Sequence, residues 1–301
     1  LPYAWTHIIF GRELIRLSIL PQPNNKPLFQ LGCQGPDFFF FHRFWQLTRK
    51  TPSQELGNLF HTQSCGPVLI ELIEAAKKHP DLREYVAGFL THYILDSSTH
   101  PYIHYRAGYK RFKHQKLEVI MDTIIAMKIS QLETWSTSLT PEIDIGHFPQ
   151  NLTESFHKIV QKFYPTLAKE VEINIYDAAY QDMKKAFQLF FDPYGFKLIF
   201  TFGMIAPFRH TKNIPSKDFL NLNQTSWNHP AIADEVHHES FWDLWENALL
   251  EGKHILPNIL EYWETGRKPD TSFSQLLGNR SYDTGKDCTL NLNNFLCDPL
   301  V

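Results

Sequence analysis

The chain has 301 residues and a formal net charge of −3. That length is ample for a large buried core, and the charge balance leaves no basic footprint for tight nucleic-acid binding. Phenylalanine is abundant (24) and glycine sparse (14), a mix that favours a helical, aromatic-rich interior over a β-sandwich. Cys33, Cys65, Cys288 and Cys297 form no CxxC pair and no dense disulfide framework. No apolar run approaches the ~20 residues that cross a bilayer. The chain starts Leu-Pro-Tyr-Ala-Trp and shows no targeting signal, so the expectation is a cytoplasmic protein with a trimmed N-terminus.

Apolar spacing predicts a first helix over 4–20, stopped by Pro21 and Pro23. His7 falls in its first turn and, taken alone, reads as a cap or surface histidine. A Pro/Asn-rich loop is expected next, then a Gly32-x-x-Gly35-Pro36 turn after which Asp37 is expected to act as the N-cap. The run Phe38–Phe41 has no amphipathic period and must be enclosed on several sides; with Phe44 and Trp45 it could line a pocket or fill the core. Thr51-Pro52-Ser53-Gln54 is a capping box that opens a helix carrying His61 near its end. An amphipathic helix follows, from Val68 to His79.

Asp81-Leu82-Arg83-Glu84 reads as a second capping box, opening a helix in which Tyr85, Phe89, His92 and Asp96 form one row. Apolar residues flank that row, so a His and an Asp are expected inside, where they must be paired or coordinating. His100 and His104 extend the four-residue spacing, although Pro101 is expected to weaken the helix and turn His104 to another heading. A strong helix over 112–134 carries His114, Glu118 and Asp122 on one face, a ladder that could also be a solvated stripe. Later helices are expected over 151–163, 166–191, 195–206 and 238–265. Residues 207–235 read as loop, and the tail from about 266 as irregular. His237 and His238 are adjacent and point apart, a poor chelating pair. With no β-pattern and no repeat, the chain reads as all-α, with a metal-binding core over 1–135 and a helical part over 136–301 packed against it as one domain.

Residues four apart on a helix stack on one face, so His92/Asp96 and His114/Glu118 can each aim two ligands at one ion. With His7, Asp37, His61 and either His100 or His104, the ligand-type residues exceed a single tetrahedral site. They suit two or three ions sharing a carboxylate, and a donor set of nitrogen and oxygen favours zinc over calcium or magnesium. Sites of this kind hydrolyse phosphate esters.

Gly-Pro-Asp37-Phe, His61, His92-x-x-x-Asp96 with its His-Pro-Tyr-Ile-His, and His114-x-x-x-Glu118 resemble the bacterial zinc-dependent phospholipase C family, which is akin to the P1-type nucleases. The resemblance covers roughly residues 5–125. It implies a multi-helix bundle with a metal cluster in a cleft. One zinc would be held by Asp37, His61, His92 and a bridging Asp96. A second would be held by His100 (or His104), His114 and Glu118. A third would share Asp96 and use His7 with N-terminal backbone groups, in a chain that begins with Leu1 rather than the Trp of the family's secreted members. The resemblance further implies attack by a metal-bridging hydroxide, with Asp37 orienting or deprotonating it. The expected substrate is a phospholipid or another phosphate ester, with transient contact to a membrane surface. The alternatives are a P1-like nuclease or nucleotidase, and a catalytically silent metal-containing binding protein.

Overall fold

Helix α5 (Arg83–Ala107) has almost no solvent-facing side, with buried residues on every face from Tyr85 to Ala107. A helix apolar all round can only sit in the middle of a protein, and the rest of the chain wraps it. The computed structural model describes residues 4–18, 20–46, 51–269 and 271–301. Around α5 pack α1 (Ala4–Leu17), α2 (Lys26–Gly32), α4 (Cys65–Lys78), α6 (Lys113–Ser130) and the long helix Phe241–Thr265. The fold is all-α. The strand content among the described residues is one two-residue hairpin pair, Trp227–Asn228 against Val236–His237, and an isolated bridge between Arg280 and Asp287. One hydrophobic cluster runs from Ala4 in α1 to Cys288 near the C-terminus.

Several elements form where local chemistry predicts them. Thr51 and Gln54 make the reciprocal capping box at the head of α3 (Pro52–Thr62), and Ser240 with Asp243 makes another before Phe241. Other expectations are corrected. Asn25 caps α2, a helix inside the stretch expected to be loop, with Pro27 in its first turn where a missing N–H costs nothing. Asp37 is not an N-cap: the 3₁₀ segment Gly35–Phe41 starts after Gln34, and Asp37 lies within its first turn. The box at 81–84 does not form either. Glu84 instead accepts the backbone N–H groups of Asn24 and Asn25, and Asp81 accepts from Asn151. The segment 166–191 divides into Pro165–Ala168 and Ile175–Phe190, and 195–206 contributes only the short helix Phe196–Phe200 before turns.

Pro101 does not end α5, which continues six residues further to Ala107. The turn at Gly285 (φ +64) packs directly against this point: a Cβ there would lie 2.4 Å from the Ser97 carbonyl and 3.5 Å from the Pro101 ring. Hence His104 keeps the heading of His100. The tail beyond 266 is mostly irregular, as expected, yet it folds back onto the core. Tyr282 N–H donates to the His61 carbonyl at 2.8 Å, and the Tyr93 hydroxyl donates to the Leu277 carbonyl at 2.8 Å.

The approach of α2 to α5 depends on two glycines. A Cβ at Gly88 would lie 2.1 Å from the Phe29 carbonyl, and one at Gly32 would lie 2.1 Å from the Tyr85 carbonyl. Backbone cannot yield as a side-chain tip can, so Gly88→Ala is expected to cost about 2–3 kcal/mol of unfolding free energy in urea. Gly146 has φ +78 and nothing within 4 Å of an added Cβ, so Gly146→Ala should cost only about 1 kcal/mol. Equal costs would contradict the close helix contact.

Candidate metal centre

Five elements deliver the ligand-type side chains to one place. His7 comes from α1, Asp37 from the 3₁₀ segment, His61 from α3, His92, Asp96, His100 and His104 from α5, and His114 with Glu118 from α6. The Asp96 carboxylate is the hub. Its Oδ1 lies 3.2 Å from His7 Nε2 and 3.3 Å from His100 Nε2, and its Oδ2 lies 3.0 Å from His92 Nε2. On one side Asp37 Oδ1 stands 3.1 Å from His61 Nε2. On the other, Glu118 Oε1 stands 3.0 Å from His114 Nε2 and 3.6 Å from His100 Nε2. His7, against expectation, is neither a cap nor a surface residue: it is buried and its ring stacks on His92 at 4.1 Å. The solvated-stripe reading of α6 also fails, because Glu118 and Asp122 are buried.

Three sets of side chains bring their donor atoms within 4.8 Å of one another along this array: Asp37/His61/His92, His7/His92/Asp96 and His100/His114/Glu118. The hydrogen bonds of the imidazoles decide what those atoms can do. His92 Nδ1 donates to the Cys33 carbonyl at 3.1 Å, and His61 Nδ1 donates to the Gly57 carbonyl at 2.7 Å. With that proton placed, the neutral His92 ring turns a lone pair of Nε2 toward Asp96 Oδ2, which is itself only an acceptor. At His61 burial is outweighed by Asp37, which favours the protonated ring and an N–H donated from Nε2 to Asp37 Oδ1. His92 Nε2 and Asp96 Oδ2 are both buried without a hydrogen-bond partner among the described residues. Two acceptors facing each other at 3.0 Å repel unless a cation lies between them. An imidazole locked by a backbone carbonyl through its far nitrogen is the usual support of a metal ligand. The donor set therefore fits zinc, which takes imidazole and carboxylate.

The electrostatics agree. Burial works against the charge on Asp96, yet His100, His92 and His7 hold its carboxyl far below the usual range. Burial likewise opposes ionised Asp37 and is outweighed with the help of His61 and His92. Burial lowers His92, so it stays neutral and able to ligate.

His100, rather than His104, lies within ligand distance of both His114 and Glu118. His104 instead groups with His100 and Asp283, its Nε2 3.6 Å from Asp283 Oδ1. Asp283 comes from the C-terminal turn Ser281–Gly285, a segment with no ligand spacing to flag it, and also stands 3.9 Å from His100 Nδ1. A second long-range contribution is His210, whose Nε2 meets Asp122 Oδ2 at 2.9 Å, while Asp122 Oδ1 accepts from Thr6 N and Oγ1 at 2.6 Å. Asp122 thus fixes the start of α1 beside His7. His237 is occupied by Glu235 and Glu239, apart from the cluster. The backbone groups of residues 1–3, named above for a third ion, lie outside the described residues.

Beside the cluster runs a groove of about 780 Å³ with a mainly apolar lining rich in Phe and Trp. The phenylalanine run divides between two tasks: Phe38 and Phe39 are fully enclosed in the core, whereas Phe40 and Phe41 line the groove with Phe44 and Trp45. The Phe40 ring lies 5.2 Å from the His61 ring, so this wall residue of the groove packs against the array, while the ligand-type side chains themselves do not line the groove.

Burial disfavours a charge on His100, but Asp96 and Glu118 prevail and push it up to about 9. In the metal-free protein at pH 7 this ring carries a proton that a metal must displace. Zinc titration at pH 7, by calorimetry in two buffers of different ionisation enthalpy, should release about one proton from His100. The apparent affinity should rise with pH toward about 9. Binding without proton release would contradict His100 as a ligand.

No curated protein and no solved structure matches the chain. A family model described as Zinc dependent phospholipase C matches residues 6–189, more than half of the chain and the span that contains the ligand array from His7 to Glu118. This protein belongs to the zinc-dependent phospholipase C family.

Proposed function

We propose that the protein hydrolyses the phosphodiester of a phospholipid, using two or three zinc ions. Family membership supports a phospholipase C-like hydrolase, and the observation that carries the finer reading is the apolar, aromatic-rich groove whose wall residue Phe40 packs against His61 of the array. The groove offers an apolar bed for the lipid part of a substrate whose phosphate reaches the array. Asp37, His61, His92 and Asp96 would hold one ion, His100, His114 and Glu118 a second, and His7 with Asp96 a third. Bound zinc would polarise the phosphoryl oxygens and lower the pKa of a coordinated water to about 7. Asp96 holds the centre together by its charge, facing three imidazoles at once. Asp37 stays ionised at the more exposed edge of the array and is assigned to orient or deprotonate the attacking water. The groove's aromatic rings could also stack a nucleobase, which makes a P1-like nuclease the alternative to test.

Zinc-reconstituted protein should be assayed on phosphatidylcholine, a chromogenic phosphodiester, a phosphomonoester and single-stranded DNA. Turnover of phosphatidylcholine is expected. Turnover of DNA alone would replace the reading with the nuclease, and no turnover of any substrate with a metal-containing binding protein. Asp96→Asn should weaken metal affinity by at least about 100-fold, and His7→Ala by less, because Asp96 touches three ligand groups. Equal zinc content in the two variants would contradict a shared carboxylate.

A further inference from the structure

The segment after Asp192 inverts the usual pattern of a surface helix. Tyr194 (84% exposed), Phe196 (63%), Ile199 (71%), Phe200 (80%), Phe202 (93%) and Met204 (59%) all face solvent within eleven residues. Single exposed apolar side chains are ordinary, but a contiguous group of this size marks a contact surface. The polar groups of the segment, by contrast, are tied inward. Buried Asp192 accepts the Leu198 N–H at 2.9 Å through its carboxylate and Arg209 Nε at 2.8 Å through its carbonyl. Lys197 Nζ donates to the carbonyls of Gln188 and Phe191. The stem is hydrogen-bonded and the apolar tips point away from it.

We propose that residues 194–204 form a membrane-docking loop that seats the groove mouth on a lipid surface; this rests on the phospholipid reading above and names how its substrate arrives. Two further observations select a lipid surface as the occupant. The loop is continuous with the groove, which Thr201, Gly203 and Met204 line together with Phe40, the ring that packs against His61. The charge also fits anionic headgroups. Between Asp192 and Asp218 the chain has no acidic residue; Lys197, Arg209 and Lys217 are held by carbonyls or by Asp192, and exposed Lys212 adds positive charge at the surface. Phe208 packs against Phe112 at 5.1 Å, which brings exposed Lys110 and Arg111 beside the same opening. Aromatic tips with a basic rim are the composition that lies in the headgroup region of a bilayer. Among the described residues no helix is long and apolar enough to cross a membrane. The loop lies beyond residue 189, where the family match ends.

The test compares zinc-loaded wild type with the triple variant Ile199→Ser, Phe200→Ser, Phe202→Ser, whose positions are exposed and outside both the groove lining and the ligand array. Partition onto phosphatidylcholine vesicles, with and without anionic phosphatidylglycerol, is read by flotation. Turnover is read on vesicles and on a short-chain phosphatidylcholine kept monomeric. Wild type should float with vesicles, more strongly with the anionic lipid, and the triple variant should lose at least about 100-fold in partition. Vesicle turnover should fall in parallel while monomer turnover stays within about twofold. Vesicle binding unchanged by the triple variant, or none by wild type, would overturn the docking loop. So would a wild-type dimer in sedimentation that the triple variant dissolves. Binding lost in the variant, with no lipid turnover by either protein, would support docking and overturn the phospholipase reading. Monomer turnover with no vesicle binding would do the reverse.

Discussion

A buried carboxylate cannot stand alone, and Asp96 is buried among three imidazoles. Removing an ionised group from water costs several kcal/mol unless opposite charge or strong donors replace the solvent. Among the described residues the ion-pair partners of Asp96 are His Nε2 atoms, one of them on a ring whose proton is already committed to a backbone carbonyl. The architecture follows from satisfying that one group. Helix α5 is apolar on its other rows, which forces the His/Asp row into the interior, and α1 and α6 must then bring His7, His114 and Glu118 to meet it. A cation such as the zinc on which the family depends would turn the facing acceptors His92 Nε2 and Asp96 Oδ2 into a bonded pair.

The second half of the chain completes what the first half starts. The Ser281–Gly285 turn donates from Tyr282 N to the His61 carbonyl, places Asp283 near His100 and His104, and packs Gly285 over the Pro101 position of α5. His210 reaches Asp122, which in turn holds Thr6 and the start of α1. The aromatic groove draws on both halves as well, from Trp45 to Phe208. The groove is therefore built from residues within and beyond the span of the family match, whereas the array from His7 to Glu118 lies within it.

Much of the array was legible because it is written in local spacing. His92/Asp96 and His114/Glu118 are one helical turn apart, and that geometry survives whatever the tertiary fold does. The buried row on α5 was readable from its apolar neighbours. Three features were not. Asp283 and His210 reach the site through long-range packing, and nothing in their local sequence distinguishes them from ordinary loop residues. His104 was misdirected by Pro101, because tertiary packing overrides a helix breaker, and here the Gly285 turn packs over Ser97 and Pro101. The Phe38–Phe41 run has no period, so its division between core and groove depended on where the 3₁₀ turn placed each ring.

Elemental analysis of the purified protein reads out a shared-carboxylate zinc cluster without further assumption. Measured before and after zinc addition and exhaustive dialysis, the protein should hold two to three equivalents of zinc per chain. Fewer than two equivalents after zinc addition would contradict it.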